Sequence, residues 1–255
     1  MRKVKYTYEL NQLNQAEIII LTHLGLGDHI VCNGMINYLS QSFDAIHLPV
    51  KEKYYDQISY LYKNNLKIKF IPLTTFSFLN KPKNIERDEI RRVKNFSKRN
   101  NLQLLMIGYE RTFKPFNLSF YEQVDIPYDY SFDYFENPSD IEKQSRLLDH
   151  LRKDYKVYGD FQLVHNQSSY GKADLKINPE LQTIYVDKST DIFKNIFIYK
   201  KAIEEAKEIH CLDSSFLHLV ERTQTNGQIY FHNIKTNKHS AANLHLVKNW
   251  KKIDY

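Results

Sequence analysis

Cysteine is scarce in this chain. Only Cys32 and Cys211 occur among 255 residues, far apart in sequence. That excludes a disulfide scaffold and points to a cytoplasmic protein with free thiols. Long apolar runs are missing too: none approaches the ~20 residues of a membrane-spanning helix, so a soluble chain without a transmembrane segment is expected. The opening MRKVKYTYELNQLNQ lacks the apolar core of a secretory signal. Histidine and cysteine are scattered without metal-ligand spacing, and no Asp-x-Asp pair occurs, so no metal site is expected. The fingerprint G-x-G-x-x-G is incomplete at Gly25 and Gly27, because Ile30 stands where the third glycine belongs. That argues against an ordinary dinucleotide site. No nucleophile-elbow sequence supports a hydrolase triad around Asp28 and His29.

What is present suits an α/β protein. The length allows one large domain or two small ones. The formal net charge of +6 favours acidic partners such as phosphorylated ligands or nucleic acid. The most informative stretch is EIIILTHLGLGDHIVCNGMINYLS, residues 17–40. Its apolar run at 18–21 reads as a strand buried on both faces. The turn holding Gly25 and Gly27 follows, and then Ile30, Val31, Met35, Ile36 and Leu39 at helical spacing. Strand, glycine turn and helix make half of a βαβ unit, whose turn lies where open α/β sheets bind ligands. Asp28 stands at the mouth of the helix. It is either an N-terminal cap or a proton acceptor aimed at a bound molecule.

Further strands are expected at 45–50, 67–73 and 102–109, with helices at 53–64 and 85–100. This alternation predicts a parallel, doubly wound sheet. The basic residues of the second helix read as a solvated face. Residues 113–138 are crowded with aromatics and broken by three prolines, a packed loop or an aromatic wall. A helix over 139–155 is expected to open with a capping box of Ser139 and Glu142. The domain boundary is placed at 157/158, giving domains 1–157 and 158–255. The second series runs through a strand from 161, the loop HNQSSYGK, a strand at 183–186 and a helix over 192–206. EIHCLDSSFLHLVER follows as strand, turn and helix, then a strand at 229–231 and a closing helix over 242–252. Hydroxyl residues at a helix N-terminus can offer donors to an anion, supported by the helix dipole.

Together GLGDHIVCNGMINYL and EIHCLDSSFLHLVE resemble the paired motifs of GT-B glycosyltransferases, nearest to the heptosyltransferase-like group. The resemblance implies two Rossmann-like domains facing a cleft. It also implies an inverting, metal-independent transfer from a nucleotide-diphosphate sugar to a hydroxyl of a glycan or glycoconjugate. Asp28 matches the family's catalytic base, with His29 in reserve. Asp213, Ser214 and His218 match its diphosphate grip, although Ser215 replaces the usual glycine. Ser168, Ser169 and Lys172 occupy the place of its phosphate contacts, and Gly25 and Gly27 would complete the donor side. No cofactor is implied beyond the nucleotide sugar as co-substrate. The alternatives are a methyltransferase or other Rossmann enzyme, and a nucleic-acid-binding protein. Neither accounts for the second stretch at Asp213, so no nucleic-acid partner is expected.

Overall fold

The apolar run at 18–21 becomes the middle strand of a parallel sheet in a computed structural model of the chain. The structure describes residues 6–74, 82–109, 114–168, 171–234 and 243–255. Its strands are β1 (Tyr6–Thr7), β2 (Glu17–Leu21), β3 (Ala45–Lys51), β4 (Ile68–Leu73) and β5 (Gln103–Met106), in the order β1-β5-β2-β3-β4. Every pairing is parallel. Ile18, Ile19, Ile20 and Leu21 are fully buried, as a central strand covered on both faces requires. The helices are α1 (Leu26–Leu39), α2 (Tyr55–Leu61), α3 (Pro82–Asn100), α4 (Phe116–Glu122) and α5 (Tyr130–Asp133). The aromatic stretch is therefore largely helical packing. Gly34 lets α1 and α5 meet closely, since a Cβ there would lie 2.2 Å from the Tyr130 carbonyl oxygen. Tyr121 of α4 reaches α1 as well, donating its hydroxyl to the Val31 carbonyl at 2.8 Å.

The second unit repeats the plan. It begins with α6 (Ile141–Asp154), β6 (Phe161–His165) and the small antiparallel hairpin β7 (Gln167–Ser168) and β8 (Gly171–Lys172). Next come β9 (Gln182–Tyr185), α7 (Lys200–Glu205), β10 (Glu208–Cys211), α8 (Ser215–Arg222), β11 (Gln228–Asn233) and β12 (Lys251–Asp254). Its parallel sheet runs β12-β11-β10-β6-β9. The fold class is thus α/β with two Rossmann-like, five-stranded parallel sheets.

Several expectations are corrected. The compact units divide between Pro138 and Ser139, not at 157/158. The reason is α6, whose buried Leu147, Leu148 and Leu151 belong with α7 and the 3-10 turn Ile196–Tyr199 of the second unit. Ser139 does not cap α6; Asp140 does, accepting from the Lys143 amide at 3.1 Å. The helix expected over 192–206 is confined to that 3-10 turn and α7. No closing helix forms over 243–252, and residue 242 lies outside the described residues. There the carboxylate of Glu221, almost fully buried, accepts from the amides of Val247 (2.6 Å) and Lys248 (3.3 Å) and from the Trp250 indole. The chain is pinned in an extended course and enters the sheet as β12. Tertiary hydrogen bonds have overridden local helical spacing.

Candidate functional site

In each sheet one middle strand has neighbours reached by opposite windings, and ligands of open α/β sheets bind at the carboxyl end of such a switch point. In the first unit the switch lies between β2 and β5. The loops that leave those strands are tied together: the Tyr109 hydroxyl donates to the Thr22 carbonyl at 3.1 Å. His23 packs edge-on against Tyr109 and Phe120, with ring centroids 5.1 and 5.3 Å away. The glycine turn then delivers Asp28 to the third position of α1, whose N-cap is Gly25.

Asp28 is half-buried, and its Oδ2 accepts the Gly25 amide at 3.1 Å. A Cβ at Gly25 would stand 2.5 Å from that oxygen, so glycine is required by the carboxylate's own position. Burial pushes the Asp28 pKa up, opposed by His23, the Gly25 amide and Lys51. Lys51, at the end of β3, is also ion-paired with buried Glu89 of α3 at 3.2 Å. Burial and the nearby carboxylates of Glu86, Asp28 and Glu89 push the Tyr109 phenol up. A set of ionisable groups thus surrounds the one carboxylate at the helix mouth.

His29 behaves differently. It is fully buried, neither ring nitrogen has a hydrogen-bond partner, and burial, with Lys51 adding to it, holds its pKa down at about 4. It is a neutral core imidazole, closed to an acceptor molecule. Gly27 sits in the first turn of α1 beside it.

In the second unit the switch lies between β6 and β10. Ser214 caps α8, accepting the Leu217 amide at 3.4 Å, and its hydroxyl lies 3.1 Å from Nδ1 of His165 at the end of β6. His165 stacks on Phe216 with centroids 5.3 Å apart. Burial lowers its pKa to about 4, so it is neutral and offers one N–H. The Ser189 amide and hydroxyl hold the Asp187 carboxyl below its ordinary range, with a smaller contribution from Lys172. Lys172 is exposed on β8, its ammonium 5.8 Å from the Tyr185 ring centroid. Ser168 pairs with Gly171 across the same hairpin. The structure therefore groups Lys172, Asp187, His165 and Ser214 beyond the carboxyl ends of β6, β9 and β10. Asp213 and Ser215 flank Ser214 and are half-buried. Ser169 lies outside the described residues. His218 is buried one turn along α8, neutral with a pKa near about 3 from burial and Arg222, and is not presented at the helix mouth.

Sequence reasoning missed His23, Lys51, Tyr109, His165 and Asp187. All five sit at or just past the carboxyl ends of parallel strands, and that rule would have found them once the strands were assigned. Among the described residues no group of three or more His, Cys, Asp or Glu is placed to hold a metal, and no helix is long and apolar enough to cross a membrane.

The two sheets and their doubly wound order are those of a GT-B-like fold. Among solved structures the chain is similar to the glycosyl transferase family 9 structure from Veillonella parvula DSM 2008. The TM-score is 0.56 over 95% of this chain and 88% of that one, at 12% sequence identity. That likeness is one of fold. No protein-family model matches the chain, and no curated protein matches it.

Proposed function

We propose that the chain is a glycosyltransferase that moves a sugar from a nucleotide-diphosphate donor to a hydroxyl of a glycan or glycoconjugate, with inversion and without a metal. The observation that carries this reading is a carboxylate, Asp28, at the switch point of a fold like that of a glycosyl transferase family 9 protein. Asp28 takes the acceptor proton as that oxygen attacks the anomeric carbon. Desolvation makes it a stronger base, and His23, the Gly25 amide and Lys51 oppose that rise by favouring the carboxylate. The fixed Oδ2–Gly25 bond sets its aim. On the donor side, Ser214 at the start of α8 and Lys172 on the hairpin stabilise the charge gathering on the departing diphosphate. The first unit is the acceptor side and the second the nucleotide-sugar side.

The test is a thermal-shift panel of UDP, ADP and GDP and their sugar conjugates in excess EDTA. A ligand present at 100 times its Kd adds about 2.7 kcal/mol to stability, a Tm rise of about 5 °C or more for a chain of this size. A flat panel, or a shift that appears only with magnesium or manganese, refutes the proposal or its metal independence respectively.

A further inference from the structure

A buried carboxylate on α3 has no part in the mechanism above. Glu89 shares the sheet-facing stripe of that helix with Val93 and Phe96, where a core contact calls for an apolar side chain. A glutamate is almost never buried unless it is paired, and this one, 6% exposed in its side chain, has Lys51 at 3.2 Å. No donor points squarely at Glu89 Oε1. Charge, and not an aligned hydrogen bond, holds the ammonium there.

Lys51 is also near the helix mouth. It ends β3, and the register that pairs Ile19 with His47 brings it level with His23, in the loop that leads to Asp28. Its charge is felt at Asp28, yet among the described residues Asp28 makes no ion pair. Asp28 Oδ2 takes the Gly25 amide instead, and burial pushes the Asp28 pKa up in spite of Lys51. A carboxylate in direct contact with an ammonium is moved the other way. Lys51 therefore stands close to Asp28 while engaged by Glu89.

We propose that Glu89 is a positioning residue: it engages the Lys51 ammonium, keeps it from pairing with Asp28, and so leaves that carboxylate free to take a proton. A carboxylate locked in a salt bridge is a weaker base, and general-base catalysis falls with basicity. That the proton comes from an acceptor hydroxyl rests on the function proposed above; the division of Lys51 between two carboxylates does not. Of the other groups around the pair, His29 of α1 is neutral and Tyr109 beyond β5 is a neutral phenol. Glu86 of α3 has the same charge as Glu89 but is exposed, and His23 of the β2–α1 loop also acts on Asp28.

The test is an NMR titration of the Asp28 carboxyl carbon in the ligand-free chain, labelled at aspartate and assigned with Asp28→Asn. Circular dichroism on the same samples follows folding through each midpoint. Glu89→Gln removes the charge and keeps the shape, so Lys51 should turn to Asp28 and lower its proton affinity about threefold or more. Lys51→Met should raise that affinity about threefold or more, and the double variant should lie on the Lys51→Met side of wild type. Should Lys51→Met fail to fold, Lys51→Gln takes its place. An Asp28 midpoint that is unmoved or raised in Glu89→Gln overturns the proposal, as does a double variant as low as Glu89→Gln. A second arm measures kcat against pH on the donor and acceptor that wild type uses. Glu89→Gln should lower the plateau about threefold or more, and adding Lys51→Met should bring it back to within about twofold of wild type. A loss that Lys51→Met does not recover overturns the link to the transfer. If wild type transfers no sugar, the proposed function fails while the titration still decides how Lys51 is shared.

Discussion

Acid should weaken this protein through His29, and the size of the effect follows from its burial. An unfolded imidazole binds its proton below its ordinary 6.5, whereas folded His29 refuses it until about 4. Between those values the unfolded chain holds more protons, so acid favours unfolding. The His29 contribution is fully present above 6.5 and is lost progressively as pH falls towards 4. The gap between 6.5 and about 4, at 1.36 kcal/mol for each tenfold, sets a limit of about 3 kcal/mol, most of it already lost at pH 4.5. His165, His218 and His232 are depressed in the same direction, so the wild-type slope alone does not isolate His29. His29→Leu does: it removes a buried ring whose two nitrogens have no partner, and such a replacement by an apolar side chain is often close to neutral. Urea titrations followed by circular dichroism at pH 7 and pH 4.5 give the comparison. The variant should lose about 2 to 3 kcal/mol less than wild type between the two pH values. Equal losses would show that His29 titrates normally in the folded chain and is not the sealed core histidine described here.

Other perturbations address single contacts. Lys172→Ala should weaken nucleoside diphosphate binding by about 1 to 3 kcal/mol, the range for a hydrogen bond to a charged group, and unchanged calorimetric affinity would remove Lys172 from the site. Glu221→Ala strips the acceptor from two backbone amides and the Trp250 indole and should cost about 2 to 4 kcal/mol. Because Trp250 is the chain's single tryptophan, its fluorescence should report release of the 247–250 segment, and an unaltered emission maximum would contradict the pinning.

Much of this architecture was legible because parallel strands in a covered sheet must be continuously apolar. The run at 18–21 could hardly be anything else, and the glycine turn and Ser214 mark the helix starts that follow β2 and β10. What failed was whatever depends on partners distant in sequence. The helical spacing at 242–252 loses to Glu221, a residue on another element. The boundary moved because α6 packs forward onto α7 and the turn before it, a choice that amphipathic spacing alone does not make. At the candidate sites the sequence exposed residues beside glycines and caps, such as Asp28 and Ser214. It hid those that arrive singly at strand ends, His23, Lys51 and His165. Two histidines beside the motifs, His29 and His218, are inside the core, since adjacency in sequence on a helix says nothing of which side faces a ligand.

The most direct test of the proposed transfer compares wild type with Asp28→Asn on the donor and acceptor that wild type uses, reading the nucleoside diphosphate released. Asparagine retains an oxygen for the Gly25 amide, so the helix start and the Tm should survive within the effect of a lost charge. What it lacks is basicity, and turnover should fall about 10²-fold or more while the KM for the donor changes little. A variant that folds and turns over like wild type would contradict the account, because no base would then reside at Asp28.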